Sequence, residues 1–472
     1  MNERAVDSAA LYAEYHRSIR DRYARALDAE KFAAVLVHAG SPPPVFADDQ
    51  TYAFRVNAAF KSWAPLTDVP NCFIYFEPGK VPLLLFNSPI DYWYKSATLP
   101  QDEWTRHFDL RAVADRGAAR ALLPADLART AFIGVADPDI GSWGLAAVNP
   151  PGLVARLDFA RAVKSDYELA CLREASRLGA LGHNAAARAF AAGATEFEIQ
   201  QTYIGACGLR EQELPYNNII AFNESAAVLH YQMLGRRAPA KRHSLLIDAG
   251  AESAGYASDI TRTYSYDNAD FAELIGHMDE LQQSLSSSVR AGTDWRDIHL
   301  SAHQLTAELL HEADITLCDA DEAVDTGLSS VFLPHGIGHL LGLQVHDVGG
   351  WMRSEEGGEI PRPPGHPYLR LTRVLEPGFV VTLEPGIYFI EQLLQEARED
   401  SRGPKINWAR VEQLRPYGGI RIEDDLAVTA GGCENLTRDA FSALRADPEF
   451  PGAASRSSLA APASPGSAAS GG

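Results

Sequence analysis

The chain has 472 residues, of which 46% are hydrophobic and 22% charged, and its formal net charge is −20 because 62 Asp and Glu outnumber 42 Lys and Arg. This length favours two or three domains. The composition excludes a disordered chain, a collagen-like repeat and a disulfide-built miniprotein. Such an acidic surface repels nucleic acid and anionic membranes, and no basic patch offsets it, so neither is an expected partner.

The N-terminus and the cysteines favour a soluble, cytoplasmic protein. The first residues carry acids and lack the apolar stretch of a signal peptide. No apolar run approaches the roughly 20 residues needed to cross a bilayer. The five cysteines are scattered and form no CxxC pair, so neither a disulfide framework nor a thiolate zinc site is predicted.

The first part of the chain has the pattern of an α/β domain. Apolar residues at three- and four-residue spacing predict a long helix from Ala10 to Leu27. Short apolar runs bounded by turn residues then predict strands at 33–38, 72–76, 83–86 and 131–135. Strands of this length between helical stretches indicate an α/β domain, and we place its end at residue 158, after the Asn149–Gly152 break.

Residues 159–444 are predicted to form a second, α+β domain. It opens with two capping boxes, Ser165–Glu168 and Thr195–Glu198, and each marks the start of a helix. Further helices are expected near 270–290 and 300–313. Strands are predicted at Ser244–Ile247, Tyr256–Thr263, Val380–Leu383 and Ile420–Ile422.

The final stretch, residues 445–472, is predicted to be a disordered tail. It is rich in Ala, Ser, Pro and Gly and has almost no core-forming side chains. Ala446–Phe450 has the sequence of a translated cloning site, which indicates that part of the tail is vector-derived.

Five candidate metal ligands lie in distinctive short strings of the second region. They are Asp248 in LIDAG, Asp259 in SDITRT, His339 in HGIGH, Glu384 in TLEPG and Glu423 in IRIED. Four of them lie in or at the end of apolar, strand-like runs, where a buried carboxylate is costly unless a cation compensates it. Hard oxygen ligands with one imidazole suit Mn²⁺, Co²⁺, Fe²⁺ or Zn²⁺. Four carboxylates roughly neutralise two divalent ions, which makes a dinuclear site electrostatically sensible.

Each of these candidates has an ordinary structural explanation when it is taken alone. An isolated Asp at a strand end is more often a turn or cap residue, and a lone His after Gly is more often structural than a ligand. Glu384 could belong only to a strand that leaves into a turn. The joint occurrence of all five, in this order, favours ligands.

At these strings the sequence resembles the dinuclear metallopeptidases of the pita-bread (creatinase/aminopeptidase) fold. Within them it is most similar to the bacterial Xaa-Pro dipeptidase (prolidase) branch, which includes the organophosphorus acid anhydrolases. The similarity covers nearly the whole chain to about Leu444. The strings that carry it are Leu246–Gly250, Ser258–Thr263, Pro334–His339, Gly342–Asp347, Thr382–Gly386 and Gly418–Asp424, with the non-catalytic strings Phe54–Trp63, Val69–Cys72 and Phe389–Glu391.

The resemblance implies an α/β N-terminal domain followed by an α+β pita-bread catalytic domain that hydrolyses Xaa-Pro dipeptides. The five candidates match the family's ligands, and Asp259 and Glu423 are expected to bridge two divalent cations, with Mn²⁺ the first choice and Co²⁺ the second. A water or hydroxide between the ions is the implied nucleophile, because two cations lower its pKa. Glu384 matches the residue that is given a proton-shuttling role.

Three further residues are implied to act beside the metals. His346 can donate to the scissile carbonyl oxygen or the developing oxyanion, although two histidines seven residues apart could also be ordinary core imidazoles. His230 matches an upstream substrate-binding histidine. Arg421 should point to the same face as Glu423, because side chains two residues apart on a strand share a face. There it can hold a substrate carboxylate, hold a bridging carboxylate or form an ordinary ion pair.

The remaining candidates would select a dipeptide by its two ends. Arg370 matches an arginine that clamps the free carboxylate of proline, a task for which the guanidinium fork is suited. Tyr216 and His335 are candidates for lining the pocket. Asp49 lies in a loop that, in this branch, reaches over from a partner subunit, so a homodimer is expected in which Asp49 holds the substrate ammonium; the alternative is a solvated acidic turn.

Two alternative functions stay open at this point. An aminopeptidase P uses the same metals but removes the first residue of longer Xaa-Pro peptides, and Asp49 and Arg370 favour the dipeptidase over it. A catalytically silent peptide-binding module can keep the fold, but it would normally lose ligands, and none is lost here. Organophosphorus triesters mimic the tetrahedral transition state of peptide hydrolysis, so their hydrolysis is expected as a side activity.

Overall fold

Residues 8–446 are described by the computed structural model, and in the N-terminal half they form one mixed sheet covered by helices. The helices are α1 (Ser8–Ala29), α2 (Ala58–Lys61), α3 (Arg116–Leu122), α4 (Pro138–Gly141) and α5 (Pro151–Arg161). The strands are β1 (Ala34–His38), β2 (Phe73–Phe76), β3 (Leu83–Asn87), β4 (Asp109–Val113), β5 (Thr130–Ile133) and β6 (Ala147–Val148). The predicted first helix and all four predicted strands are confirmed, to within one or two residues at their ends.

The N-terminal sheet has the strand order β4-β3-β2-β1-β5-β6, with β1 parallel to β5 and antiparallel to β2. Successive side chains of a strand point to opposite faces. One face, with Val35 and Val37, packs against α1 and α5, and the other, with Leu36, packs against α3 and the residues around α4. Strand β1 is buried over its whole length because both faces are covered.

The second half is built from helices around short antiparallel strands. Its helices are α6 (Asp166–Ala191), α7 (Glu196–Cys207), α8 (Ala269–Ser286), α9 (Trp295–Glu312), α10 (Ala320–Asp325), α11 (Ser329–Phe332), α12 (Glu391–Glu399), α13 (Trp408–Leu414) and α14 (Leu436–Ala446). Its strands are β7 (Ile219–Phe222), β8 (Ser244–Asp248), β9 (Glu252–Ser253), β10 (Tyr256–Ala257), β11 (Thr261–Ser265), β12 (Met352–Ser354), β13 (Gly357–Glu359), β14 (Val380–Leu383), β15 (Gly386–Tyr388), β16 (Gly419–Arg421), β17 (Asp424–Val428) and β18 (Cys433–Asn435). Both predicted capping boxes are present, at the starts of α6 and α7.

The strands of this half lie between two pairs of helices. The sheet β11-β8-β7 packs its apolar side chains against α6 and α7, whereas β14, β15 and β16 pack against α8 and α9. An antiparallel bridge between Thr261 and Glu423 joins the two groups of strands, and a bridge between Leu340 and Val381 brings the loop after Ile337 to β14. These bridges hold the strand ends together at one place.

The single strand predicted over Tyr256–Thr263 is wrong, because residues 258–260 interrupt it between β10 and β11. The amide of Asp259 donates to the buried carboxylate of Asp425, at 3.2 Å to Oδ2, instead of to a ladder partner. The side chain of Asp259 is thereby turned inward at the break. A strand pattern could not reveal this, because the amide's partner is a side chain far along the sequence.

The predicted limits of the domains and the tail fall inside helices. The predicted boundary after residue 158 lies within α5, and the predicted start of the tail at residue 445 lies at the end of α14. Residues 447–472, for which disorder was predicted, lie outside the described residues.

All five cysteines are free. Among residues 8–446, no helix is both long enough and apolar enough to cross a membrane.

The two halves contact each other around a deep cleft. Lys61 of α2 lies 3.3 Å from the carboxylate of Glu252 and donates to the carbonyl of Gly255 at 2.9 Å. On the same side, Arg161 and Lys164 both pair with the buried carboxylate of Asp347. The cleft has a volume of about 1840 Å³ and is lined by residues of both halves.

Candidate metal centre

The five predicted ligands converge where the strand ends meet. Asp248 is the last residue of β8, Asp259 precedes β11, His339 lies in the loop that bridges to β14, Glu384 follows β14, and Glu423 lies between β16 and β17. Nε2 of His339 is 3.5 Å from Oδ2 of Asp259 and 3.9 Å from Oε1 of Glu384. One ligand atom from each of Asp259, His339 and Glu423 lies within 4.8 Å of the others.

Tyr216 links two of these carboxylates. Its hydroxyl lies 2.8 Å from Oδ1 of Asp248 and 2.6 Å from Oδ1 of Asp259. A phenol has one proton and can donate to only one of these oxygens at a time. The other oxygen can then form a hydrogen bond with the hydroxyl only if its carboxyl group is protonated. The close approach of these acidic side chains therefore favours a bound cation between them.

The pKa values of the buried carboxyl groups lead to the same conclusion. Burial, with repulsion from Asp248, raises the pKa of Asp259, and burial raises that of Glu384 to about 7. Burial and the charges of Asp259 and Glu384 raise the pKa of Glu423 far above its ordinary value. Divalent cations would remove these penalties by replacing the protons. The donor set of four carboxylates and one imidazole therefore fits two divalent cations.

His339 is oriented for ligation by its own backbone surroundings. Nδ1 lies 3.0 Å from the carbonyl oxygen of Leu340, so it carries the proton and donates it there. Nε2 is left with a lone pair toward Asp259 and Glu384. Hydrogen bonds of this kind fix the tautomer of metal-binding histidines, and the amide of His339 is held by the hydroxyl of Thr382 at 3.1 Å.

Arg421 is buried, and its nitrogens are occupied by groups of the protein itself. Nη2 donates to Oδ2 of Asp248 at 2.6 Å, Nη1 to the hydroxyl of Tyr388 at 2.9 Å, and Nε to Oγ1 of Thr261 at 3.1 Å. Among the three sequence-based possibilities, the geometry corresponds to an ion pair, and its partner is a predicted metal ligand. Arg421 and Glu423 do share a face, because Thr261 also donates to Oε2 of Glu423 at 2.6 Å.

His335 is linked to Arg421 through the hydroxyl of Tyr388. The Tyr388 hydroxyl, which accepts from Arg421, lies 2.9 Å from Nε2 of His335, and Nδ1 of His335 lies 3.0 Å from the carbonyl of Gly336. Burial and the charge of Arg421 lower the pKa of His335 to about 4, so the ring is neutral at pH 7. Its Nδ1 is 3.8 Å from Oε2 of Glu384.

Of the remaining predicted residues, two line the cleft and two, Arg370 and Asp49, do not. His230 and His346 line the cleft, and the ring of His346 lies edge-on to that of His339 with centroids 4.4 Å apart. Arg370 is exposed, and among residues 8–446 its guanidinium has no hydrogen-bond or ion-pair partner. Asp49 is exposed, does not line the cleft, and within the described residues its side chain contacts none of the five ligands.

The sequence interpretation missed four supporting residues. Thr261, Thr382, Tyr388 and Asp425 are buried and contact Glu423, His339, Arg421 and Asp259, respectively. A polar residue inside an apolar, strand-like run was the one available signal, and Thr261, Thr382 and Asp425 had it. Their partners are far apart in sequence and become apparent only in the folded chain.

Family models match both halves of the chain. The model for the N-terminal domain of Xaa-Pro dipeptidase matches residues 10–159, and that for metallopeptidase family M24 matches residues 170–430. The chain belongs to the M24 metallopeptidases. This M24 metallopeptidase is 48% identical over 438 residues to the Xaa-Pro dipeptidase of Stenotrophomonas maltophilia, covering 93% of this chain and 98% of that protein. It is 45% identical over 437 residues to the Xaa-Pro dipeptidase of Shewanella oneidensis, covering 92% and 99%.

Solved structures show the same fold. Aminopeptidase P of Escherichia coli matches this M24 metallopeptidase with a TM-score of 0.66 in its zinc-substituted form with product and 0.67 in its low-pH form. Each match covers 89% of this chain and 95% of that one, at 23% identity. The predicted fold class, an α/β domain followed by a pita-bread catalytic domain, is confirmed.

Proposed function

We propose that this chain is a Xaa-Pro dipeptidase, which uses two divalent cations to hydrolyse dipeptides that end in proline. The observation that carries the proposal is the convergence of the five predicted ligands beside the cleft, in a chain 45–48% identical to Xaa-Pro dipeptidases over nearly its full length. The alternative of a catalytically silent binding module is disfavoured because all five ligand side chains are present and directed at one another.

The cations would be held by Asp248, Asp259, His339, Glu384 and Glu423. Asp259 and Glu423 are the proposed bridging ligands, since both are deeply buried and lie within 4.8 Å of the His339 ring nitrogen. Mn²⁺ is the proposed native metal and Co²⁺ the second choice, because a carboxylate-rich donor set suits these ions. When bound, the cations polarise the scissile carbonyl and lower the pKa of the attacking water.

Proton transfer is assigned to Glu384. A carboxylate held beside the attacking water can act as a general base and take up its proton. Glu384 would pass this proton to the nitrogen of the leaving proline. His346 and His230, which line the cleft beside it, would donate hydrogen bonds to the carbonyl oxygen and the developing oxyanion. Arg421 would hold Asp248 in place, as its contacts indicate.

The two ends of the dipeptide would be read by separate charged groups. Arg370 is proposed to clamp the proline carboxylate, and its lack of a partner within the described part of the chain supports this assignment. Tyr216 and His335 would line the pocket between the metals and this clamp. A clamp for a free carboxylate favours dipeptides over the longer peptides that an aminopeptidase P cleaves.

The protein is proposed to act as a homodimer in which an arm of the partner closes the site. Residues 43–52 form this arm, held by an antiparallel bridge between Pro44 and Thr51, and Phe46 at its tip is 97% exposed. The cleft of about 1840 Å³ exceeds the roughly 300–1,000 Å³ of pockets that enclose a small ligand, so one chain leaves a dipeptide poorly enclosed. Asp49 on the partner's arm would then bind the substrate ammonium.

Three further assignments stay as proposals. A cytoplasmic location is supported by five unpaired cysteines, which suit a reducing compartment. The boundary between the N-terminal domain and the catalytic domain is proposed to lie at residue 158. Hydrolysis of organophosphorus triesters stays a prediction from the sequence alone.

The Asp259→Asn variant tests the ligand assignment. Loss of one proposed bridging carboxylate should abolish metal loading of the centre formed by the five proposed ligands, called the carboxylate centre below. Turnover of Ala-Pro should be lost with it, and the circular dichroism spectrum should be unchanged. Asp325→Asn, at an exposed position on α10, is the matched control and should behave as wild type. Wild-type turnover by the Asp259→Asn protein would refute the proposed function.

A further inference from the structure

Three histidines outside the proposed catalytic centre meet at one point. His299 and His303 lie one turn apart on α9, on the same face. His366 comes from the loop between β13 and β14 and lies against both. The ring centroids are 4.8 Å apart for His299 and His303, and 4.5 Å for His366 with each of them. One ring nitrogen from each lies within 4.8 Å of the others.

Three ring nitrogens of the two buried histidines lack hydrogen-bond partners among the described residues. His299 and His303 are 1% and 2% exposed, and both nitrogens of His299 and Nε2 of His303 make no hydrogen bond within residues 8–446. Buried polar atoms normally have a partner, and each one that lacks a partner weakens the fold. The two buried rings therefore need a partner that the described residues do not supply, and one nitrogen of each ring lies within 4.8 Å of a nitrogen of His366.

The hydrogen bond of His303 prepares it to bind a cation. Its Nδ1 lies 3.0 Å from Oγ of Ser329, which can accept the Nδ1 proton and leave Nε2 with a lone pair. Burial, with repulsion between neighbouring histidines, lowers the pKa of His299 to about 2 and that of His303 to about 3. Both rings are therefore neutral at pH 7, the form that binds metals.

We propose that His299, His303 and His366 form a third metal site that prefers Zn²⁺-like ions and is separate from the carboxylate centre. Zinc–imidazole bonds of about 2.0–2.1 Å place tetrahedral ligand atoms about 3.3 Å apart, which small side-chain rotations can reach from the observed spacing. Three neutral imidazoles suit Zn²⁺ or Co²⁺ better than Mn²⁺ or Mg²⁺. His366 is half-buried, which leaves a side open for a water or anion as the fourth ligand.

A metal at this site would tie α9 to the loop that carries Arg370. His366 lies four residues before Arg370, and the same loop packs tightly on Gly336, where a Cβ atom would lie 2.7 Å from Cα of Leu369. The ion would therefore stabilise a segment next to the proposed substrate clamp. This consequence for Arg370 depends on the proposed function, whereas the metal site itself does not.

Metal stoichiometry of the full chain tests the site independently of activity. After saturation with Zn²⁺ and gel filtration, elemental analysis should give three ions per wild-type chain and two for His299→Phe, which keeps the ring volume. His38→Phe is the matched control, because His38 is equally buried and also has two unpartnered nitrogens, but lies alone against Phe73. It should retain three ions.

The Asp259→Asn background isolates the third site. This variant should bind one Co²⁺ and show the intense visible absorption of tetrahedral cobalt, and His366→Ala in the same background should abolish both. Ser329→Ala should lower the affinity of this site for Co²⁺ by about 10–100-fold. Two ions in the wild type, or no Co²⁺ in the Asp259→Asn protein, would overturn the proposal even if the enzyme cleaves Ala-Pro. If His299→Phe does not fold, the proposal is decided by comparing Co²⁺ binding in the Asp259→Asn protein with that in the Asp259→Asn, His366→Ala double variant.

Discussion

Nη2 of Arg421 donates a 2.6 Å hydrogen bond to Oδ2 of Asp248, a predicted metal ligand, while its other nitrogens hold Tyr388 and Thr261. The guanidinium is buried, and each of its three nitrogens already donates to a group of the protein. We infer that Arg421 acts through the ligand that it positions. Arg370, in contrast, is exposed and unpaired within the described residues, which makes it the better clamp for substrate.

Arg421→Lys should weaken the metal centre while leaving substrate binding nearly unchanged. An ammonium group cannot reproduce the planar fork that reaches three partners. Loss of such a supporting contact typically lowers metal affinity by about 10–100-fold. We expect kcat to fall at limiting Mn²⁺ and to recover in part with excess Mn²⁺. A large increase in KM with unchanged metal affinity would instead place Arg421 on the substrate.

Arg370→Met should raise the KM for Ala-Pro without changing metal stoichiometry. A charged hydrogen bond contributes about 1.5–3 kcal/mol, or roughly 10–150-fold in KM. The dipeptide amide, which lacks the carboxylate, provides the control. Wild-type enzyme should discriminate strongly against the amide, and the variant should not. Equal discrimination by both proteins would remove Arg370 from the clamp.

Asp347→Ala should destabilise the packing of the end of α5 and the segment after it against the loop that contains Asp347. Arg161 and Lys164 both pair with this buried carboxylate, and removing it leaves two poorly compensated cations at a cost of about 3–5 kcal/mol. Asp158→Ala is the control, because Asp158 lies 4.0 Å from the same Arg161 and is more exposed. Urea unfolding should show a loss of less than about 1 kcal/mol for this control.

The same ion pairs predict a dependence of stability on pH. Burial raises the pKa of Asp347, but Arg161 and Lys164 outweigh this effect and bring the pKa below its ordinary value. The contribution of Asp347 to the free energy of unfolding is therefore fully present above about pH 4, the ordinary pKa of Asp. It is lost as the pH falls through the lower pKa that Asp347 has in the folded state. Asp347→Asn should flatten this acid limb of the stability profile, and an unchanged limb would contradict the account.

Subunit mixing tests whether Asp49 acts across a dimer. Asp49→Ala and Asp259→Asn chains should each be nearly inactive, for different reasons. In a mixed dimer, the Asp259→Asn chain would supply an intact arm to the metal-loaded site of its partner. Mixing after mild dissociation should therefore restore up to half of the activity per mixed dimer. No recovery, although mixed dimers are detected by mass spectrometry, would show that Asp49 does not act in this way.

The ligand set could be predicted from the sequence because its members lie in short local strings at strand ends. Asp248 ends a buried strand and Glu384 follows one, where a charge is costly to bury, but each alone has a structural explanation, and the joint occurrence of all five strings and their resemblance to a known family favoured ligands. The division into an α/β region and an α+β region followed from local patterns, whereas the pita-bread class was implied by the resemblance to a known family. Asp259 was found by its string, although the strand assigned around it was wrong.

What the sequence did not reveal depends on contacts between distant segments. Tyr388 connects Arg421 to His335 across strands that are far apart in the chain. The histidine cluster was missed because the predicted helix began at residue 300, whereas α9 begins at Trp295 and includes His299. His366 lies in an irregular loop, and no local pattern places such a residue beside a helix.

Hydrolysis of Ala-Pro beside Ala-Pro-Ala tests the central claim most directly. The full chain, reloaded with Mn²⁺, should cleave the dipeptide and leave the tripeptide intact, and chelation should abolish the activity. Cleavage of the tripeptide would contradict the dipeptidase assignment and favour an aminopeptidase P. No cleavage of either peptide by fully metal-loaded protein would contradict the proposed function altogether.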